Sequence, residues 1–290
     1  MKIRTAVLTA AGPGQRGLPL EPLIDREGRK TCVLAAQLDE VFSAGLETAV
    51  LVVEPGAQPE YSAVLGRRAE RVRFVEQSEP LGYAHALSLG LEACGDEPCL
   101  HLVGDHLFVA DVLGGCARAI VEIAEQEGTT VCAVRSTREH SISEFGVVGG
   151  DPVAGRPGLF EVRRVIEKPT PTLAERELLV PGLRAGHYLG FFGVHALERS
   201  TVRALREAVA VGASASSGLG LSKVLDDAAG SERILAFEPP GRRFDLSDRY
   251  GLFAAQLAIG LEGVDREILL ETVSRVLLER ERRRAAEEQR

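Results

Sequence analysis

The feature that most constrains the fold is the alternation of apolar segments with helix-forming segments over the first 135 residues. The apolar segments are short and mostly apolar on both faces, which is typical of buried strands. These strands are expected at Arg4–Ala10, Thr48–Val53, Val72–Glu76, Cys99–Val103 and Thr130–Arg135. The helices between them are expected near Lys30–Ala44, Tyr61–Ala69, Ala84–Ala93 and Ala110–Gln126. This alternation predicts an α/β fold in which a mostly parallel sheet lies between helices.

The second half of the chain has a different pattern. Short strand-like segments separated by Gly/Pro-rich turns predict a small antiparallel elaboration attached to the main sheet. They are Phe145–Val148, Phe160–Glu167 and Tyr188–Val194. Further helices are expected near Thr201–Ala210, Leu219–Ala229, Arg249–Glu262 and Arg266–Arg290, with a strand at Ile234–Glu238.

The apolar pattern of the last predicted helix indicates a contact with another molecule. Apolar residues follow one another at helical spacing along it, at Leu269, Leu270, Val273, Val276 and Leu277. We therefore expect residues 263–290 to form a helical extension and the protein to be a homo-oligomer.

Charge and composition exclude several classes of protein. The net charge of −8 argues against non-specific binding of nucleic acid. The five cysteines form no CxxC pair and lie in mostly apolar segments, which indicates reduced thiols. No signal peptide and no apolar run of about 18 residues occurs, so we expect a cytoplasmic protein without a membrane partner.

A glycine-rich loop follows the first strand, as Gly12-Pro13-Gly14-Gln15-Arg16-Gly17. Backbone N–H groups in such a loop form a concave site for anions, and Arg16 adds a charge suited to phosphate. The spacing also matches the dinucleotide fingerprint, but Pro19 and Pro22 would break the helix that this fingerprint needs. No Lys-Ser/Thr follows the glycines, which excludes a P-loop.

Two other polar segments follow predicted strands, namely Gln77–Gly82 and Asp105. Ligands of open α/β sheets bind outside the carboxyl ends of the strands. The glycine loop and these two segments are therefore expected to form one site.

The order of motifs resembles that of the sugar-1-phosphate nucleotidyltransferases, and within them most closely the UTP–glucose-1-phosphate uridylyltransferases. The resemblance extends from about Ile3 to about Leu261. Its motifs are Ala11–Pro19, Pro22–Asp25, Gln77 with Gly82–Ala86, Gly104-Asp105, Phe145–Val148, Val165–Pro169, Gly186–Tyr188 and Asp245. It implies the Rossmann-like nucleotide-diphospho-sugar transferase fold over residues 1–262, with a nucleotide-binding half (1–135) and a sugar-binding half (136–262).

The resemblance also implies partners and residue roles. The partners are a nucleoside triphosphate, UTP or dTTP, and a sugar 1-phosphate, with glucose 1-phosphate first among them. Arg16, Lys168 and Asp105 are implied to be catalytic, and Asp105 and Asp245 to bind Mg²⁺. The implied nucleotide-binding residues are Ala11, Gly12, Gly14, Gln77 and Gly82. The implied sugar-binding residues are Gly146, Glu167 and Tyr188.

The sequence departs from the family pattern in one important place. The family carries a lysine after the glycine loop, whereas Leu18–Pro22 contains none, and Arg26, Arg29 or Lys30 are the candidates to replace it. This departure motivates an alternative, in which a degenerate fold binds a sugar nucleotide and regulates a partner. An NAD-dependent oxidoreductase is disfavoured by Pro19 and Pro22.

Overall fold

The computed structural model describes residues 1–12, 17–110, 115–210 and 220–288. Within these ranges the strands are β1 Thr5–Ala10, β2 Pro22–Ile24, β3 Lys30–Cys32, β4 Thr48–Val53, β5 Val72–Glu76, β6 Cys99–Val103, β7 His106–Val109, β8 Val131–Arg138, β9 Gly146–Pro152, β10 Leu159–Glu167, β11 His187–Leu197, β12 Leu235–Phe237 and β13 Arg242–Asp245. The helices are α1 Val33–Ser43, α2 Gln58–Leu65, α3 Tyr83–Cys94, α4 Gly115–Glu127, α5 Pro171–Glu177, α6 Arg199–Ala210, α7 Leu221–Ala229, α8 Gly251–Leu261 and α9 Arg266–Glu288.

One large mixed sheet organises the molecule, in the order β5-β4-β1-β6-β11-β8-β12-β10-β9. Its first four strands are mutually parallel, as the alternating sequence predicts. β11 then runs antiparallel to both β6 and β8, and β9 and β10 pair antiparallel beyond it. β9, the last strand in this order, also pairs with the central strand β11. The predicted antiparallel elaboration is therefore confirmed as part of the main sheet.

Helices cover both faces of this sheet because side chains alternate along each strand. In β1, Leu8 belongs to a core shared with α1, α2 and α4. Its neighbour Val7 points to the opposite core, which contains residues of α3, α6 and α7. Both side chains are fully buried. Strands that are apolar on both faces thus become the middle layer of a three-layer structure.

The first predicted helix starts later than expected. Lys30–Cys32 forms β3, which pairs with β2 in a short hairpin, and α1 begins at Val33. The Asp25 side chain organises the turn, because its Oδ1 accepts hydrogen bonds from the N–H groups of Glu27 and Arg29. The sequence analysis missed this aspartate-initiated turn.

The helix expected at Ala110–Gln126 also begins later, at Gly115. His106–Val109, which precedes it, is an unpredicted strand, β7, whose residues are all buried. β7 pairs antiparallel with β13, more than 130 positions further along the chain. Four residues give too little periodicity to identify a strand whose partner is so distant. Similarly, the helix expected at Tyr61–Ala69 is α2, Gln58–Leu65, followed by a 3₁₀ segment.

The C-terminal helix α9 exposes much of its apolar surface. Ile268, Val276 and Leu277 each leave more than half of their surface exposed. This exposure agrees with the predicted apolar stripe, and the homo-oligomer stays a prediction. Among the described residues, no helix has the length and apolar character needed to cross a membrane.

The cysteines are free of disulfide bonds, as predicted, and all but Cys94 are buried. Burial raises the pKa of the Cys132 thiol to about 12, so this side chain stays protonated and inert at neutral pH.

A glutamate from α1 caps the N-terminus of α4. The N–H of Ala117 donates to Glu40 Oε1 at 3.0 Å, and the N–H of Cys116 stabilises the same carboxyl group. Burial nevertheless raises the pKa of Glu40 to about 7, from an ordinary value of 4.5. Ionising this group therefore costs more in the folded protein than in the unfolded chain.

We expect ionisation of Glu40 to lower the stability of the protein as the pH rises from about 5 to about 8, because the folded state binds the Glu40 proton more tightly than the unfolded chain does. Glu40→Gln keeps a hydrogen-bond acceptor and cannot ionise, so its melting temperature should rise relative to that of the unaltered protein over this range. Thermal unfolding at a series of pH values measures the difference, with the exposed Glu122→Gln as the control. Parallel pH profiles for Glu40→Gln and the unaltered protein would contradict the assignment.

Candidate active site

A cavity of about 490 Å³ lies where the two parts of the main sheet meet. Its wall is formed by the start of α3, the end of β6, β9–β11, the start of α7 and β13. The polar and charged side chains on this wall are Tyr83, His106, Glu144, Glu167, Lys168, His195, Ser222 and Arg243. A groove of about 760 Å³ between α3 and α6 is larger, but its lining comes mainly from those two helices, away from the strand ends.

Asp105 and Asp245, the two predicted metal ligands, lie on either side of His106. His106 Nδ1 donates to Asp105 Oδ1 at 2.7 Å, and its Nε2 lies 3.7 Å from Asp245 Oδ2. The β7–β13 pairing causes this approach, since it places Asp245 directly opposite His106. The Leu246 N–H also donates to the Asp105 carbonyl at 2.9 Å. Two acids separated by 140 positions are thereby brought to one edge of the cavity.

The Gly104-Asp105 motif has a steric basis. A Cβ at Gly104 would lie 2.1 Å from the carbonyl oxygen of Thr9 in β1. Since real Cβ atoms do not approach backbone this closely, residue 104 must be glycine for the end of β6 to lie against β1. The next residue, Asp105, is thus presented at the carboxyl end of the parallel strands.

Glu167 and Lys168 form the opposite side of the cavity. Lys168 has φ 48°, a left-handed conformation that is unusual for a lysine, and its N–H donates to the Phe145 carbonyl at 2.9 Å. Glu167 Oε2 accepts a hydrogen bond of 2.5 Å from Ser222 Oγ. These contacts attach the end of β10 to the residue before β9 and to α7. They therefore fix the backbone positions from which the side chains of Glu167 and Lys168 extend.

Gly146 lines the cavity beside Glu167 and Lys168, at a position where only glycine fits. A Cβ there would lie 2.5 Å from Phe191 Cδ2 and 2.6 Å from Ser222 Oγ. Both contacts are too close for any residue with a side chain, so glycine keeps this part of the cavity open. Its predicted role, a close approach of backbone and ligand, is compatible with this position.

A chain of polar groups runs from the buried Val7 in β1 to Tyr83 in the cavity wall nearest to α3. Val7 offers a carbonyl to His101 Nδ1 at 3.1 Å, so Nδ1 must carry the proton. Burial lowers the pKa of His101 to about 4, which leaves the ring neutral and Nε2 an acceptor. Tyr83 therefore donates its hydroxyl hydrogen to Nε2 across 2.5 Å.

His195 stacks on His101, with ring centroids 6.1 Å apart. Burial, together with His101, lowers the pKa of His195 to about 3, so it too is neutral. This wall of the cavity consequently carries hydrogen-bonding groups and no charge.

The predicted nucleotide-binding residues lie beside this wall. Ala11 is buried against α3 and β4, and Gly12 follows it at the end of β1. The buried Gln77 donates through Nε2 to the Gly82 carbonyl at 3.1 Å and lies 3.0 Å from His85 Nδ1. In this structure the Gln77 amide therefore holds the loop that precedes α3. Gly14 and Arg16 lie outside the described residues.

Tyr188 is the one predicted sugar-binding residue that the structure does not bring to the cavity. It is buried in a separate cluster with Ile142, Val147 and Leu178. Side chains alternate along β11, so Tyr188 points away from the face on which Phe191 lines the cavity. We therefore assign Tyr188 to packing.

The cations considered as replacements for the family lysine lie elsewhere. Arg29 pairs with Asp25 and Glu27 at 2.9 Å. Arg26 donates to the Ala110 carbonyl at 2.5 Å, and both arginines line a second cavity, between the β2–β3 hairpin and α1. Lys30 lies exposed on the same hairpin.

Comparison with known proteins decides the family. The profile of the family described as Nucleotidyl transferase matches residues 6–195. This chain belongs to the nucleotidyl transferase family. The matched segment runs from β1 to the end of β11 and so contains Asp105, Gly146, Glu167 and Lys168.

The relatives are similar over most of their length. A UTP–glucose-1-phosphate uridylyltransferase of Bacillus subtilis, YngB, is 25% identical over 90% of each chain. A UTP–glucose-1-phosphate uridylyltransferase 1 of Streptococcus pyogenes is also 25% identical, again over 90% of each chain.

Solved structures show the same fold. A UDP-glucose pyrophosphorylase complexed with UDP-glucose superposes with a TM-score of 0.69 at 19% identity, over 88% of this chain and 98% of that one. A UTP-bound enzyme of the same kind from Acinetobacter baumannii gives 0.69 at 18% identity, over 96% and 99%. The nucleotidyltransferase fold expected from the sequence is thus confirmed.

The sequence analysis of this nucleotidyl transferase missed several residues of the cavity. Arg243, Tyr83 and His106 were given no role there. The signals were present, because Arg243 lies two positions before Asp245 and Tyr83 follows the predicted loop glycine Gly82. Their common location, however, depends on the β7–β13 pairing and the start of α3.

We expect Gly146→Ala to destabilise the protein by about 1–3 kcal/mol, since the new methyl group collides with Phe191 and Ser222. Gly220→Ala is the matched control in the same cavity wall, where φ is −129° and no atom of the described residues lies within 4 Å of the new Cβ. Its effect should stay within about 0.5 kcal/mol. Urea denaturation of both variants measures this, and equal stabilities would show that the cavity floor is not packed as described.

Proposed function

We propose that this protein transfers a nucleotidyl group from UTP, or dTTP, to a sugar 1-phosphate, with glucose 1-phosphate as the first candidate. The products are a nucleotide sugar and pyrophosphate. The proposal rests on one cavity that is lined by Lys168, Glu167 and His106, with Asp105 and Asp245 on either side of His106. The names of the uridylyltransferase relatives support the choice of base and sugar.

In this reaction an oxygen of the sugar phosphate attacks the α-phosphorus of the triphosphate. A new P–O bond forms, the bond from the α-phosphorus to the bridging oxygen breaks, and pyrophosphate leaves with that electron pair. Because the nucleophile is already an anion, no general base is needed. Catalysis then depends on holding two anions together and neutralising their charge.

The residues on the wall suit these tasks. We assign Lys168 to the sugar phosphate, as a point charge on a side chain whose backbone N–H is held by the Phe145 carbonyl. We assign Glu167 to the sugar hydroxyl groups, since a carboxylate accepts their hydrogen bonds. Gly146 would let the sugar approach the backbone. Gly12, Gly14 and Arg16 are proposed for the triphosphate, and Gln77 and Gly82 for the base.

We also propose Mg²⁺ as the cofactor, with Asp105 and Asp245 as the protein ligands. The donor set fits this ion, which is usually bound by one or two carboxylates together with substrate phosphates and water. Among the described residues, no group of three or more His, Cys, Asp and Glu side chains has the arrangement of a metal site that the protein could complete alone. When bound, Mg²⁺ would neutralise charge on the phosphate oxygens. His106 would act as a positioning residue, since its Nδ1–H holds Asp105.

The direct test is release of pyrophosphate by the purified protein. UTP and dTTP are each supplied with several sugar 1-phosphates, with Mg²⁺ and with EDTA. We expect metal-dependent release with at least one pair. Binding of UDP-glucose without release by any pair would instead favour a degenerate, regulatory protein.

Asp105→Ala, Arg16→Ala and Lys168→Met should each lower turnover by about 100-fold or more, because each removes a charge placed for the transferring phosphates. The fold should persist, as judged by unchanged circular dichroism. Lys2→Met is the matched control, since Lys2 pairs with Glu125 on the molecular surface. Near-normal turnover in Asp105→Ala or Arg16→Ala would show that the site is assigned wrongly.

A further inference from the structure

Arg243 is the second cation of the cavity, and the proposed function does not use it. One of its guanidinium nitrogens, Nη1, donates to the Phe191 carbonyl at 2.9 Å. The guanidinium also stacks on the Phe145 ring, with its central carbon 4.2 Å from the ring centroid. Phe145 is the residue whose carbonyl holds Lys168. The backbone of Lys168 and the guanidinium of Arg243 therefore both contact Phe145.

The strand geometry places Arg243 among the groups of the site. Side chains alternate along β13, so Arg243 and Asp245 share one face, while Arg242 and Phe244 share the other. The first face lines the cavity. The second packs toward α8, where Arg242 lies 3.6 Å from Glu262. Neighbouring arginines thus have different environments.

The charge of Arg243 has no close counter-ion in the described part of the chain. No carboxylate there lies within 4.0 Å of its guanidinium, and its only hydrogen-bond partner there is the Phe191 carbonyl. Asp245, Asp248 and Asp105 attract it only over longer distances. Arg243 is only partly exposed, and withdrawing a guanidinium from water is costly unless an anion contacts it.

The shape of the guanidinium indicates which kind of anion Arg243 binds. A guanidinium has five N–H donors in a planar fork that matches the oxygens of a phosphate group, and the contacts with the Phe145 ring and the Phe191 carbonyl hold this fork in the cavity wall. We propose that Arg243 binds a phosphate group of the substrate and acts as a second phosphate-binding cation besides Lys168. This inference rests on the proposed function only for the identity of the substrate.

The test is equilibrium binding by calorimetry in EDTA, so that no metal contributes. Glucose 1-phosphate and UTP are titrated separately, and uridine is the uncharged ligand. Arg243→Gln should weaken binding of at least one phosphate ligand by about 10- to 100-fold and leave uridine unchanged. The ligand that loses affinity identifies the phosphate that Arg243 contacts. Arg242→Gln, on the other face of the strand, should bind all three as the unaltered protein does.

Arg243→Lys keeps the charge but loses the planar fork, so we expect a smaller loss, of about fivefold. This variant decides the matter if Arg243→Gln fails to fold. Unchanged affinity for both phosphate ligands in the folded variants would overturn the inference. An equal loss for uridine would also overturn it, because the effect would then be structural.

The outcome is separable from that of the proposed function. If the protein releases pyrophosphate and Arg243 variants bind both phosphate ligands normally, only the role of Arg243 is wrong. If no pair of substrates releases pyrophosphate but Arg243→Gln selectively loses phosphate binding, only the enzymatic proposal is wrong.

Discussion

The short antiparallel pairing of β7 with β13 is the contact on which the candidate site depends. It joins the segment after β6 to a segment near the start of the C-terminal helices, and it sets His106 opposite Asp245. Without it, Asp105 would lie at the edge of the parallel strands with no second acid nearby. The hydrogen bonds of a two-stranded ribbon are weak support by themselves. Burial of Leu107 and Val109 against α8 stabilises this one.

The main sheet supplies the two sides that this ribbon completes. Its parallel strands carry the glycine loop, Gln77 and Asp105 at their carboxyl ends, where backbone and side-chain groups of several strands converge. The antiparallel strands carry Gly146 and Glu167, followed by Lys168. The cavity therefore lies at the change of direction within one continuous sheet. His195 lines the cavity and stacks on the buried His101, and both rings are neutral, so neither adds positive charge to that of Lys168 and Arg243.

The sequence alone predicts those parts of the structure that depend on local patterns. Strands such as Thr48–Val53 and Cys99–Val103 were predicted at their observed limits because their apolar runs are long and end at turn residues. Asp105, Glu167 and Lys168 were singled out because they stand at or just after the ends of such strands in a recognisable order. β7 and Arg243 were missed, since their placement depends on a partner more than 130 positions away. Tyr188 lies away from the cavity, which the sequence could not show, because a motif does not tell which face of a strand a side chain occupies.

We propose that the cavity lined by Lys168, with the Asp105–Asp245 pair beside it, binds the nucleotide sugar. A crystal structure of the protein with UDP-glucose and Mg²⁺ would locate the ligand. We expect electron density for the ligand in this cavity, with its diphosphate between Lys168 and the two aspartates and its sugar beside Glu167. Density for the ligand in the groove between α3 and α6, or in the cavity beside the β2–β3 hairpin, would contradict it.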